Sequence, residues 1–256
     1  MIISSIRQSD MEQHSTRNRV TRVRHETRRR EVEVVSVSDV SANFRRVTFA
    51  GEALAGFVSQ SFDDHVKLIF SAEDGAQVMR DYTPSSFDPE KRELSIEFSL
   101  HGDGFASNWA ARASVGQRVT VAGPRGSFIV PTDYDWHLLV GDDTALPAIA
   151  RRLEELPAET VATVVVQTAS EDRRQFRSRS TFGVVWVDHA QDLLREIEAL
   201  QLPSGEGYVW CAAEAKVAAR VRELLVVDKG HGKHSIRASA YWKAGASAHH
   251  EKIGED

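Results

Sequence analysis

Polar and apolar positions alternate along Val32–Val37 and again along Phe44–Phe49, with Ser, Asp and Asn between the two runs. A two-residue period rich in β-branched side chains predicts a pair of antiparallel strands with one buried face. His65–Phe70 and Leu94–Leu100 continue the pattern, separated by the turn-rich stretches AEDGAQ and SSFDPEKRE, and Arg118–Ala122 adds another strand before Gly-Pro-Arg-Gly. Many short strands with little helix predict an antiparallel β-barrel over residues 30–131.

The texture changes after Pro131. A short apolar strand, His137–Val140, runs into GDDTALPAIARRLEEL, which has helical content and ends at Pro157. VATVVVQT is apolar almost throughout, as a strand buried on both faces of a parallel sheet must be. GVVWVD and YVWCAA read as further strands, and DLLREIEAL and Glu214–Asp228 as helices; the last places Val217, Val221, Leu224 and Leu225 on one face. This rhythm predicts a doubly wound α/β nucleotide-binding domain over 132–256. The closing stretch HSIRASAYWKAGASAHHEKIGED is aromatic and basic, then polar, and is read as a tail.

Charge adds a third region. Residues 1–30 hold Arg7, Arg17, Arg19, Arg22, Arg24, Arg28, Arg29 and Arg30 against Asp10, Glu12 and Glu26, while the whole chain of 256 residues carries −5. With no aromatics and no nucleic-acid module behind it, the segment 1–29 is expected to be a solvated, partly disordered leader rather than a DNA- or RNA-binding arm. No apolar run approaches the ~20 residues that span a bilayer, and the N-terminus has no signal-peptide core. A cytoplasmic protein with no membrane association is the expectation. The single Cys211 excludes an internal disulfide and a cysteine-bound cluster, and reads as a small buried hydrophobe. His249-His250-Glu251 lacks the spacing of a zinc site, so no metal is expected.

Three stretches carry candidate chemistry. Arg80-Asp81-Tyr82-Thr83-Pro84 sets an aromatic ring beside a hydroxyl, with an arginine two residues back on the same side of an extended strand. The set suits a flat heteroaromatic ligand with a phosphate, though a strand end entering a Pro-Ser turn would look the same. His101-Gly102-Asp103-Gly104-Phe105-Ala106-Ser107-Asn108-Trp109 opens a helix after a strand; it reads equally as an anion site or as a glycine loop with Ser107 as N-cap. Gly141-Asp142-Asp143-Thr144-Ala145-Leu146-Pro147 follows a strand directly, where open α/β sheets bind nucleotides. Thr144 there is also a plain N-cap candidate.

Taken in order, with DHVKLIF, VAGPRGSF, YVWCAAE and IRASAYWKAG, these motifs resemble the siderophore-interacting protein family of the ferredoxin-reductase superfamily, from about Val32 to Gly245. The resemblance implies an FAD-dependent ferric-siderophore reductase that takes electrons from NADPH or NADH and releases Fe(II). It implies that Arg80 meets the FAD phosphate and Tyr82 and Thr83 the isoalloxazine. His101, Gly102, Ala106 and Ser107 match the phosphate and adenine loop, with Trp109 beside it. Gly141, Asp142, Asp143, Thr144 and Ala145 match the nicotinamide-nucleotide entrance. Lys67, Arg125, Arg237 and Lys243 are the matching basic candidates for the anionic ferric siderophore. Flavin carries the redox chemistry, so no catalytic side chain is expected.

Two positions depart from the family pattern. Ala213 stands for a glycine in Trp-x-Ala-Gly-Glu, and Asp143 for a glutamate. Arg173 and Arg174 favour a ribose 2′-phosphate and hence NADPH, while Glu171 and Asp172 suit the 2′-hydroxyl of NADH. A reduced ferredoxin remains open as donor, and family precedent favours a monomer. A flavin reductase serving another acceptor, or a siderophore- or flavin-binding protein without turnover, are the alternative readings.

Overall fold

The computed structural model describes residues 19–72, 74–100, 104–245 and 251–254. The chain opens with a short strand, β1 (Thr21–Arg24). Seven strands follow: β2 (Arg29–Ser41), β3 (Phe44–Ala50), β4 (Val66–Ser71), β5 (Gln77–Tyr82), β6 (Pro84–Asp88), β7 (Glu93–Ser99) and, after helix α1 (Phe105–Ala111), β8 (Arg118–Ala122). They form one antiparallel sheet in the order β5-β4-β8-β2-β3-β7-β6. The two edge strands, β5 and β6, are consecutive in the chain with Thr83 alone between them. The sheet must therefore curl until its edges meet at that residue, which is how an antiparallel sheet disposes of its edges.

The alternation seen in the sequence is what curls inward. Val32, Val34, Val47, Phe49, Leu68, Phe70, Leu94, Ile96, Phe98, Val119 and Val121 fill the interior. Each fully buried Phe, Leu or Ile contributes about 1.5–3 kcal/mol. Helix α1 plugs the opening with Ala106 and Ala110. Its N-cap is Gly104, so Ser107 lies inside the first turn rather than at the cap position.

The second half begins after β9 (Gly126–Ile129). Strands β10 (Trp136–Gly141), β11 (Val161–Gln167), β12 (Thr181–Val187), β13 (Gly207–Glu214) and β14 (Ile236–Trp242) make a parallel sheet ordered β12-β11-β10-β13-β14, with β15 (Glu251–Ile253) added antiparallel. Helices α2 (Leu146–Glu155), α3 (Ala190–Ala199) and α4 (Ala215–Glu223) cover it. The apolar strands feed two cores by strict alternation. Tyr208, Trp210 and Ala212 of β13 face α2, while Val209, Cys211 and Ala213 face α3 and α4. Cys211 is thus the buried hydrophobe expected of it. Gly207 must be glycine, because a Cβ there would lie inside the Trp136 ring. Past Glu223 the helix widens over Leu224–Asp228, where Lys229 N–H donates to the Leu224 carbonyl at 3.0 Å.

One element overturns the sequence reading. Ile236–Trp242, read as part of a tail, is a buried strand paired in parallel with β13.

The described part of the leader is ordered. β1 pairs antiparallel with β9, and a Cβ on Gly126 would strike the Val23 carbonyl. Arg19 pairs with Asp133 and, at 2.7 Å, with Glu206, and its guanidinium lies over the Tyr134 ring. Across the seam between the two halves, the buried Asp172 accepts from Ser41 Oγ, Asn43 N–H and Asn43 Nδ2 at 2.7–2.9 Å. Arg151 reaches the other way, donating to the Ser59 carbonyl at 2.9 Å. No helix among the described residues is long and apolar enough to cross a membrane.

Candidate functional site

The parallel sheet reverses its winding between β10 and β13: the chain moves from β10 out to β11 and β12, then returns to the other side of β10. A crevice opens at the strand C-termini at such a point. Here it is braced by Asp142. Its Oδ1 accepts from Thr144 N–H at 3.0 Å and Thr144 Oγ1 at 2.5 Å, and its Oδ2 accepts from Glu214 N–H at 2.9 Å and Trp242 Nε1 at 2.8 Å. One carboxylate therefore ties the ends of β10, β13 and β14 together. Burial, reinforced by the charge of Asp143, pushes its pKa up to about 6. Gly141 permits the turn, since a Cβ there would strike Ala145 and the Ala212 carbonyl.

Facing this crevice is the seam where β5 and β6 close the barrel. Between them lies a hollow of about 210 Å³ lined by Arg80, Tyr82, Thr83, Glu97 and Ser99 from the barrel and by Thr144, Pro147 and Tyr241 from the α/β half, with Phe44 and His65 at its margins. The Tyr241 hydroxyl donates to Asp63 Oδ1 at 2.7 Å, and Asp63 Oδ2 pairs with Arg237 at 2.6 Å. Thr83 is buried, at the point where β5 passes into β6. The Tyr82 ring packs on Phe98 at 4.5 Å, which packs on Trp109 at 5.7 Å. Burial holds the Tyr82 phenol protonated. Arg80 donates to the Met79 carbonyl at 2.8 Å and has no carboxylate within ion-pair reach among the described residues.

A second hollow adjoins the first through His65 and Asp81 and is lined by Thr27, Lys67, Gly123 and Arg125. Lys67 holds Asp81 at 2.8 Å, while Arg125 is exposed.

These positions sort the sequence candidates. Arg80, Tyr82, Thr83 and Thr144 share the first hollow; Gly141, Asp142, Asp143 and Ala145 build the turn behind it. Lys67 and Arg125 share the second. Ala106, Ser107 and Trp109 lie on α1 against the barrel core, and His101 and Gly102 lie outside the described residues, as do His249 and His250. Lys243 is exposed just past β14.

Two expectations need correction. Arg237 is not an exposed cation: its side chain is 5% exposed, paired with Asp63 and stacked on Phe128 at 4.0 Å. Arg174 is not available to a ribose phosphate, because it crosses the seam to the buried Glu97 at 2.5 Å and stacks on Phe44. Arg173 is held more loosely, by the exposed Asp188 at 2.7 Å. Sequence reasoning assigned no role to His65, Glu97, Ser99 or Tyr241, and took Pro147 only as the end of the Gly141–Pro147 motif. Only Glu97 left a trace, as the one charge in the strand run Leu94–Leu100.

Comparison with known proteins agrees with this architecture. Residues 134–245 match the family described as siderophore-interacting protein, and 33–78 and 71–128 match the siderophore-interacting FAD-binding domain. The chain is 35% identical over 248 residues to the NADPH-dependent ferric-chelate reductase of Escherichia coli (strain K12), covering 87% of this chain and 96% of that one. It is 29% identical to the ferric vibriobactin reductase ViuB of Vibrio cholerae, covering 83% and 89%. The crystal structure of a siderophore utilization protein from T. fusca superposes with a TM-score of 0.82 at 31% identity, covering 90% and 98%.

Proposed function

The chain belongs to the siderophore-interacting protein family, and from that premise we propose that it is an FAD-dependent reductase passing electrons from NADPH to ferric iron held by a siderophore. The observation that carries this is the hollow at the closed seam, where Arg80, Tyr82 and Thr83 meet Thr144, Pro147 and Tyr241. Its donor set fits a flavin nucleotide. A cation without a carboxylate partner suits a phosphate, an aromatic face suits a flat ring system, and a buried hydroxyl suits a ring nitrogen or carbonyl. Bound there, flavin supplies the redox chemistry, taking two electrons together and giving them up singly.

The protein's own part is binding, orientation and exclusion of water. Arg80 offers its charge to the FAD phosphate, and the first-turn N–H groups at Ala106 and Ser107 favour the same anion. Phe98 and Trp109 fix the Tyr82 ring. Residues 141–145 border the crevice for the nicotinamide nucleotide. Arg173 is the arginine that remains for a 2′-phosphate once Arg174 is committed to Glu97. Lys67 and Arg125 draw in an anionic ferric complex, an attraction that salt weakens. Fe(II) is held less tightly than Fe(III) by hard oxygen donors, so reduction loosens the siderophore.

The test is anaerobic mixing of the purified flavoprotein with NADPH, NADH or reduced ferredoxin, then with a ferric siderophore and an Fe(II) chelator. Bleaching by NADPH, followed by recovery of flavin colour and trapped Fe(II), is expected. A bound flavin that no nucleotide bleaches would sink the assignment of residues 141–145.

A further inference from the structure

Among the described residues three arginines are buried: Arg30, Arg152 and Arg237. Two of them have a carboxylate, Arg152 with Glu155 at 3.5 Å and Arg237 with Asp63 at 2.6 Å. Arg30, 7% exposed, has none. Its guanidinium donates to the carbonyls of Gly123 at 3.0 Å and Arg28 at 3.3 Å and lies over the Phe57 ring. A buried cation without an ion-paired carboxylate is costly, and the charge of Arg28 adds repulsion that Glu26 offsets only in part.

Arg30 forms a wall of a third hollow, of about 290 Å³, on the far side of Gly123 from the Lys67–Arg125 hollow. Arg24, His25 and Arg28 form other walls, and the acidic Glu26 is already bridged by Arg28 at 2.6 Å. Arg24 has no acidic partner among the described residues. The hollow therefore holds an excess of positive charge. Of these arginines Arg24 and Arg28 are exposed and Arg30 is buried. We infer that this hollow binds an oxyanion, a carboxylate or phosphate group. Because it meets the Lys67–Arg125 hollow at Gly123, the oxyanion is one carried on the periphery of the ferric complex. The inference rests on the reductase reading, and it narrows the substrate class to ferric siderophores that keep an uncoordinated anionic group away from the iron.

The test uses two ferric complexes differing only there: a linear trihydroxamate with a terminal amine, and the same complex with that amine succinylated. Binding to the oxidised holoprotein is read by tryptophan quenching, and electron transfer separately by flavin recovery. The wild type is expected to bind the succinylated complex about tenfold tighter, as for a charge-assisted contact to clustered cations of which one is buried. Inorganic phosphate is expected to compete. The exposed pair Arg24→Gln and Arg28→Gln together should abolish the preference while the amine form binds as before. Arg30→Met is the second variant, and the exposed pair keeps the test decisive if it does not fold. Equal binding of the two complexes by the wild type, or a preference that survives the double variant, overturns the inference. Phosphate binding without a preference for the succinylated complex would mark a free-anion site and overturn it as well. A preference in binding with no electron transfer to either complex would instead sink the reductase reading and leave the hollow standing.

Discussion

The indole N–H of Trp242 donates at 2.8 Å to the same Asp142 oxygen that takes the Glu214 N–H at 2.9 Å. The last residue of β14 is thereby fixed by the first residue past β10. With its pKa pushed up to about 6 by burial and by Asp143, Asp142 holds its proton in the folded state where the unfolded carboxyl, near 3.8, has lost it. Stability from this group therefore falls as pH rises from about 4 to about 6, by roughly 3 kcal/mol, and stays reduced above that. Asp142→Asn removes the slope but turns an amide nitrogen toward donors, costing about 2–3 kcal/mol. Urea denaturation of both proteins from pH 4 to 7 should show a large deficit for the variant at pH 4 that shrinks by pH 7.

His137 titrates in the opposite sense. It is 1% exposed, neither ring nitrogen has a hydrogen-bond partner among the described residues, and burial, with Arg152 nearby, lowers its pKa to about 3. The unfolded imidazole, near 6.5, takes up a proton first on acidification. Stability present above about pH 6.5 is lost toward pH 3, by roughly 4–5 kcal/mol. His137→Phe keeps a ring and removes the titration. Its acid-unfolding midpoint is expected below that of the wild type; an unchanged midpoint would refute the assignment.

Arg237 and Asp63 form a buried pair, so Arg237→Met leaves an uncompensated carboxylate at a cost of about 3–5 kcal/mol. Calorimetry should register a Tm lower by roughly 6–20 °C. A normal Tm with a raised KM for ferric siderophore would return Arg237 to the substrate site.

Thr83→Val keeps shape and removes the oxygen offered to the ligand. FAD affinity, measured by titrating the apoprotein and following flavin fluorescence, should drop about 5–10-fold, the worth of one hydrogen bond. The Tyr241–Asp63 bond does not depend on Thr83, so the fold should persist.

What the sequence disclosed follows from how each signal is encoded. Val32–Val37 and Phe44–Phe49 were readable because one face enters the barrel core, and VATVVVQT because both of its faces are covered. Ile236–Trp242 is as deeply buried, but Arg237 and Ser239 interrupt its apolar run, and what makes Arg237 tolerable inside is Asp63 from the other half of the molecule. Arg174 was misjudged for the same reason: its loop gives no hint of Glu97. Arg80, Tyr82 and Thr83 could be picked out together because they are adjacent. His65, just before β4, Glu97 of β7 and Tyr241 of β14 converge only when β5 and β6 close and the halves dock.

The N-terminal strap also sets an order of events during synthesis. Arg19 is made before its partner Glu206, which lies 187 positions later. At a typical 5–20 residues per second, the contact waits on the order of 10–40 s while the barrel forms beside it. A strongly basic segment suits that interval, since it stays hydrated and resists premature collapse onto half-built strands. Once docked on β9 and the α/β half, it becomes a closing stitch: the first stretch of the described chain to be made is among the last to find its place.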